Sequence, residues 1–258
     1  MKIMGIDSGS TTTKGVIFNG THVTHTLIVP TSYNPKSTME NLQLALHKLS
    51  GDDEHIPVYT TGYGRDLLSS KKQSITEITC HGAGAAFLNA DTTTVLDIGG
   101  QDSKVIQLDV KGNVIDFLMN DKCAAGTGRF IEVMMRTLHK DLLELDDLVT
   151  SHTPVKISSM CAVFAESEVI SLLAKGIDPG DIALGVLDSI CERSAHFVKR
   201  LNRDAPIFFS GGLAQSKSIK ISLEKHLGVP VHTHEKAQLV GAIGAAVIGY
   251  RKLSASRL

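Results

Sequence analysis

Apolar and polar positions in this chain follow one pattern, and the pattern occurs twice. Lys2 to Asp7 carries a short apolar run that gives way to Asp7-Ser8-Gly9-Ser10-Thr11-Thr12-Thr13-Lys14, and a second apolar run, Gly15 to Phe18, follows at once. Two extended runs about a tight polar turn predict a β-hairpin. Its Thr-rich flanks suit that geometry, because a β-branched side chain tolerates extended backbone while supplying a hydroxyl. The same order returns at Thr94 to Asp97, Ile98 to Lys104 and Val105 to Asp109, as if one lobe had been written twice. Between the copies, Met39 to Leu49 has apolar residues at helical spacing, Pro57 to Thr61 reads as a strand, and His81 to Asn89 opens on small residues that let a helix pack closely. Ile78-Thr79-Cys80 reads as extended, with Cys80 closing a strand. In the second half, Arg129 to His139 and Val163 to Lys175 predict amphipathic helices and Ile182 to Leu201 a longer one. Ala205 to Ser210 predicts a buried strand ending in Gly211-Gly212, and Leu239 to Tyr250, rich in Gly, Ala, Val and Ile, a buried helix. Alternating strands and helices predict an α/β fold with mixed sheets. The first lobe is expected over residues 1–92, completed by 239–258, and the second over 93–238.

Charge and composition narrow the partners. Lys and Arg number 26 against 27 Asp and Glu, for a net charge of -1, which disfavours nucleic acid and membrane surfaces as partners. The start, Met1-Lys2-Ile3-Met4-Gly5-Ile6-Asp7, lacks the apolar core of a signal peptide, and no stretch approaches the roughly 18 apolar residues of a membrane span. A cytoplasmic location is expected, where the 4 cysteines stay reduced and serve as core residues, reactive thiols or metal ligands rather than disulfides.

Three turns carry nucleotide chemistry. Asp7 to Lys14 combines a carboxylate, close backbone approach at Gly9, the hydroxyls of Ser8, Ser10, Thr11 and Thr12, and a cation. A triphosphate with a divalent metal needs these parts: amides and Lys14 to meet oxygens, and Asp7 to hold the metal through water. The same residues also make an ordinary hairpin. The second turn, Asp97 to Lys104, repeats the arrangement with Gly99 and Gly100 and adds Gln101, whose amide is suited to orienting a water on a γ-phosphate. The third, Phe208 to Ala214, runs a strand into Gly211-Gly212, where adenine and ribose can lie against bare backbone. With the small-residue helices at Gly82 to Ala86 and Gly241 to Ala246 between these turns, the sequence resembles the actin, Hsp70 and sugar kinase superfamily. That resemblance implies two ribonuclease-H-like lobes clamping ATP, without the Walker pattern, which is missing here.

The cysteines separate into two kinds. Cys123 sits in Asn120-Asp121-Lys122-Cys123-Ala124-Ala125-Gly126-Thr127-Gly128-Arg129-Phe130, a small-residue loop that empties into the helix expected near Arg129. Cys161 stands at the start of the helix expected over Val163 to Lys175. Both are expected at positive helix ends, where amides stabilise thiolates and bound anions. Cys80 and Cys191 read as core residues. Zinc or a cubane cluster takes four protein ligands, and neither Cys123 nor Cys161 has a C-x-x-C partner. A two-fold dimer would supply both twice, completing four ligands on the axis; two unrelated thiols is the other reading.

Asp97-Ile98-Gly99-Gly100-Gln101-Asp102-Ser103-Lys104, Asn120 to Phe130, and Cys161-Ala162-Val163-Phe164-Ala165-Glu166-Ser167-Glu168-Val169-Ile170 closely resemble the signatures of the BadF/BadG/BcrA/BcrD ATPase family, above all its activators of 2-hydroxyacyl-CoA dehydratases. The resemblance runs over essentially the whole chain. It implies a homodimer holding one [4Fe-4S] cluster between subunits, with Cys123 and Cys161 as ligands. ATP hydrolysis then drives a low-potential electron from a donor such as ferredoxin or flavodoxin to a partner iron-sulfur dehydratase or reductase. Carried across, Asp7, Asp97 and Gln101 are catalytic. Ser8, Gly9, Ser10, Thr11, Thr12 and Lys14 meet phosphates and Mg2+, and Gly99, Gly100, Gln101, Asp102 and Lys104 attend the γ-phosphate. Gly211 and Gly212 border the adenosine of ATP or ADP. Gln215-Ser216-Lys217 departs from the family, which often carries an Asn there. The strands from Lys104 to Met119 offer a path from the γ-phosphate turn to Cys123. The rival readings are a sugar or pantothenate kinase of the same superfamily, with Asp121, Glu166 or Glu168 as base, and a non-catalytic switch or filament former.

Overall fold

In the computed structural model, residues 1–51, 55–159, 161–201 and 206–256 are described. The first sheet contains β1 (Ile3–Ser8), β2 (Thr12–Phe18), β3 (Val23–Pro30), β4 (Val58–Gly62) and β5 (Gln73–Ser74), in the order β3-β2-β1-β4-β5. β1 pairs antiparallel with β2 and parallel with β4, so the hairpin read from the sequence is present and Asp7 stands across from Lys14. The second sheet contains β6 (Thr94–Ile98), β7 (Ser103–Leu108), β8 (Val114–Asn120), β9 (Ile207–Gly211) and β10 (Val231–His232). Its order, β8-β7-β6-β9-β10 when read from the other edge, repeats that of the first sheet strand for strand.

The helices are α1 (Pro35–Ser50), α2 (Glu77–Leu88), α3 (Gly128–Thr137), the short α4 (Leu145–Leu148), α5 (Ala162–Ala174), α6 (Pro179–Leu201), α7 (Lys217–Leu227) and α8 (Val240–Ala255). Among the described residues none is long and apolar enough to cross a membrane. The chain divides into two compact units, one of residues 1–95, 106–115 and 236–258, the other of 96–105 and 116–235.

In the first unit, one side of the first sheet packs Met4, Ile6 and Ile17 against Met39, Leu42 and Leu46 of α1. Asn34 caps α1, accepting from the Ser37 amide, and Pro35 opens it with a preset φ. Ile3, Val16 and Phe18 instead join Ala242, Ile243, Ala245 and Ala246 of α8 and Cys80 of α2. The small residues of α2 and α8 have a steric reason: a Cβ on Gly244 would lie 1.8 Å from the Cys80 carbonyl, and one on Gly84 2.1 Å from that of Val240.

Four expectations change. Cys80 does not close a strand, because α2 begins at Glu77 and Ile78, Thr79 and Cys80 lie in it; packing against α8 overrides their extended preference. α5 is not an ordinary amphipathic helix, since it buries Ala165 and Val169 while Val163, Phe164 and Ile170 are exposed. α8 runs on to Ala255 rather than stopping at Tyr250. The strand expected from Ala205 begins at Ile207, and Ala205 itself lies outside the described residues.

Candidate nucleotide turns and cysteine site

The first unit carries the first turn. The Gly9 amide donates to the Thr12 carbonyl at 3.2 Å, and the turn is strapped to the end of β3 by the Thr31 amide on the Thr11 carbonyl at 2.9 Å. The Thr31 hydroxyl donates to the Gly9 carbonyl at 2.8 Å and lies 2.9 Å from the Thr13 hydroxyl. Ser10 is half-buried, Thr11 exposed and Thr12 opens β2. Lys14 Nζ lies 3.5 Å from Asp7 Oδ2. The other carboxylate oxygen, Asp7 Oδ1, and the Ser8 hydroxyl are buried without any hydrogen-bond partner. Orphaned buried acceptors are rare and call for an explanation. Gly62 from β4 leaves this place open, since a Cβ there would stand 2.5 Å from Asp7 Oδ1.

The second unit repeats the construction 90 positions later. The Gly99 amide donates to the Asp102 carbonyl at 2.9 Å, as Gly9 does to Thr12. Lys104 is 1% exposed, with Nζ 3.3 Å from Asp97 Oδ2 and 2.8 Å from Asp102 Oδ2. Asp97 Oδ1 accepts the Ser210 hydroxyl of β9 at 2.7 Å. Gln101 is exposed at the tip. The Gly99 and Gly100 carbonyls accept the Gly128 and Arg129 amides, at 2.8 and 2.9 Å, which are the first two of α3.

The third turn follows β9. Gly211 has φ +100, and a Cβ there would lie 2.1 Å from the Ile98 carbonyl, so only glycine lets β9 end this close to the second turn. Gly212 follows it, exposed. Asp146 of α4 accepts the Ser216 hydroxyl at 2.7 Å and the Ser218 and Lys217 amides at 3.0 Å, capping α7. Burial alone would raise the Asp146 carboxyl, but these bonds outweigh it and hold it below the usual carboxylate range. Gln215, at the departure from the family pattern, donates to the His234 and Glu235 carbonyls at 2.9 and 3.3 Å, so its amide fastens the turn.

The four cysteines divide as expected by burial. Cys80 and Cys191 are buried, and desolvation pushes each thiol up to about 12, leaving them inert core groups. Cys123 and Cys161 are exposed. Cys161 is the N-cap residue of α5, as read from the sequence. Cys123 is not at a helix end: Thr127 is the N-cap of α3, and the first amides of α3 are engaged by the second turn. The Cys123 loop is held instead by Asn120, whose Nδ2 donates to the Cys123 and Ala125 carbonyls at 2.9 and 3.1 Å.

Two charged residues support these loops: Glu168, read from the sequence only as a base of the rival kinase, and Arg193, which the sequence reading does not single out. Glu168 accepts the Ser158 and Ser159 amides at 2.9 and 2.8 Å, ahead of Cys161. Burial opposes its charge, but the bonds hold it below the usual carboxylate range; this structural engagement argues against the kinase-base role. Arg193 of α6 lies over the Phe130 ring, and burial pushes its guanidinium below the ordinary value while Cys123 and Glu192 oppose that shift. No sequence signal marked Arg193, which lies in an ordinary amphipathic stretch. Among the described residues no three or more His, Cys, Asp or Glu side chains gather as a metal site. The two exposed thiols fit half of a four-thiolate site, and the exposed apolar Val163 and Phe164 lie two and three residues after Cys161.

Comparison with known proteins agrees with this geometry. Residues 4–249 match the model of the BadF/BadG/BcrA/BcrD ATPase family. The chain is 51% identical to the Escherichia coli protein YjiL over 96% of both chains. It is 38% identical to the 2-hydroxyisocaproyl-CoA dehydratase activator of Clostridioides difficile, over 100% of this chain and 98% of that one. The (R)-2-hydroxyglutaryl-CoA dehydratase activating ATPase of Acidaminococcus fermentans is 39% identical, over 96% and 97%. The solved structure of the C. difficile activator with bound ADPNP superposes with a TM-score of 0.93 over 100% of this chain and 97% of that one. A ROK family glucokinase of Streptomyces griseus shares the fold alone, at 13% identity and a TM-score of 0.58 over 96% and 99%. The fold is that of the actin, Hsp70 and sugar kinase superfamily, and the chain belongs to the BadF/BadG/BcrA/BcrD ATPase family.

Proposed function

We propose that this protein is a homodimeric, ATP-hydrolysing activator that delivers a low-potential electron to an iron-sulfur dehydratase or reductase acting on CoA esters. The observation that carries the reading is the pair of exposed thiols in one unit whose second turn is bonded directly to the helix following Cys123. Similarity to activators of two different 2-hydroxyacyl-CoA dehydratases supports the partner class and leaves the acyl group open.

In this reading Asp7 Oδ1 and the Ser8 hydroxyl, buried and without partners, are acceptors for Mg2+ or its water shell. The metal supplies charge neutralisation on the phosphates. The Gly9 turn, Ser10, Thr11, Thr12 and Lys14 meet phosphate oxygens. Asp97 and Lys104 hold the second turn, and exposed Gln101 orients the attacking water or reports the γ-phosphate. Gly211 and Gly212 leave room for the adenosine. A [4Fe-4S] cluster held by Cys123 and Cys161 of each subunit supplies one-electron chemistry at low potential.

Coupling runs through backbone. Displacement of Gly99 and Gly100 by a γ-phosphate draws on the Gly128 and Arg129 amides and so on the Cys123 loop, a shorter path than the strands from Lys104 to Met119. ATP that favours one arrangement of this segment shifts the dimer toward the form that engages its partner, and hydrolysis to ADP and phosphate resets it.

The test is anaerobic purification with iron and sulfide analysis. About four irons per dimer are expected, lost in Cys123→Ser and Cys161→Ser and kept in Cys80→Ser and Cys191→Ser. Four irons per chain, or none, defeats the bridging model.

A further inference from the structure

The two cysteine segments converge on one cation. Arg193 Nη2 donates to the Ser159 carbonyl at 3.2 Å and to the Ser189 hydroxyl at 2.6 Å. Its guanidinium lies 4.9 Å from the centroid of the Phe130 ring. Ser159 is two residues before Cys161, and Phe130 stands in the first turn of α3, which follows the Cys123 loop. Glu168 holds the amide side of the same Ser158–Ser159 backbone. The backbone ahead of Cys161 is therefore gripped by an anion at its amides and a cation at its carbonyl.

A half-buried guanidinium is expensive to desolvate unless its fork and its flat face are both used. Here both are used: the fork joins the Ser159 carbonyl, just ahead of Cys161, to Ser189 of α6 itself, and the face meets Phe130 of α3, the helix into which the Cys123 loop runs. A positive charge in that place lowers the energy of added negative charge nearby, and lysine, a point charge without a plane, cannot both stack and bridge.

We propose that Arg193 is a positioning residue of the cluster site: it fixes the Cys123 and Cys161 segments to one another and its charge favours the reduced form of a bound cluster. The inference rests on the iron-sulfur reading above. Loading from a donor becomes easier, and the outgoing step then depends more on the nucleotide-driven change.

The experiment compares the full-length wild type with Arg193→Gln, Arg193→Lys and Lys122→Gln, all purified without oxygen. Iron content, the rate of iron release to a chelator and the midpoint potential from a spectroscopic redox titration are measured. Arg193→Gln should release iron at least tenfold faster. Its midpoint should fall by about 59 mV, the equivalent of a tenfold change in a one-electron equilibrium. Complete loss of iron from an Arg193→Gln chain that still hydrolyses ATP also supports the proposal. Arg193→Lys should keep the midpoint near the wild type but release iron faster, which decides the matter if the Gln variant does not fold. Lys122→Gln, at an exposed position beside Cys123, is the control and should match the wild type, since water and salt screen its charge. Release rates in both Arg193 variants equal to those of an iron-bearing wild type overturn the proposal alone. A wild type that binds no iron overturns the iron-sulfur reading, and this inference with it.

Discussion

At the first turn a carboxylate faces one lysine at 3.5 Å and keeps a buried oxygen without a partner. At the second, built on the same plan, two carboxylates hold one lysine that is 1% exposed, and the leading carboxylate also accepts a serine hydroxyl from another strand. Equivalent positions carry Thr12 in one copy and Asp102 in the other. Five of the eight positions differ between the two turns, and Asp102 and Ser210 together meet from within what the first turn leaves vacant at Asp7. Duplication of a fold does not duplicate its chemistry. The satisfied copy is suited to holding shape, and the unsatisfied one to taking a metal or water.

The largest effect that sharpens this contrast is on stability. Lys104→Met leaves Asp97 and Asp102 buried without their cation and should cost about 3–5 kcal/mol. Lys14→Met strips one carboxylate rather than two of a lysine 3.5 Å away and should cost less, about 1–3 kcal/mol. Urea unfolding measures both, and equal losses would break the comparison. Next is catalysis. Asp7→Asn preserves shape and removes the charge on the vacant oxygen, so ATP hydrolysis should fall by about 10²-fold or more. Iron content should stay unchanged, because in the proposed reading the cysteines serve a different site; loss of iron with unchanged hydrolysis would reverse the assignment. The smallest expected effect is at Gln101. Gln101→Ala should alter stability by no more than about 0.5 kcal/mol, bind ATP and keep its iron. Nucleotide-dependent reduction of the partner should weaken by roughly the 0.5–2 kcal/mol that one residue contributes to coupling between sites. Unchanged turnover and unchanged partner reduction would remove Gln101 from the mechanism.

Much of this was legible from local pattern. The hairpins follow from short apolar runs around polar turns, and the close packing of α2 and α8 from their density of Gly and Ala. The place of Cys161 at a helix start was legible from the helical pattern that follows it. What the pattern could not carry is long-range satisfaction: Asp97 meets Ser210 across 113 positions, and no run of residues encodes that bond. Cys80 shows the converse, since Ile78 and Thr79 favour extended backbone locally and yield to contacts with a helix more than 150 positions away. Cys123 looked like a helix-end residue because the sequence shows where α3 starts but not what its first amides bind. Arg193 was invisible for a related reason, as a basic residue on a long helix reads as solvated until its neighbours in space are known.

The bonds from Gly128 and Arg129 to the second turn bear on what deuterium labelling would see. The first amides of a helix normally have no internal partner and exchange quickly with solvent. These two are held by Gly99 and Gly100, so their exchange is governed by how often that turn opens rather than by fraying of α3. A pair of amide hydrogens just beyond the Cys123 loop is thus a built-in clock for the turn, readable without a partner enzyme, a chromophore or a label on any cysteine.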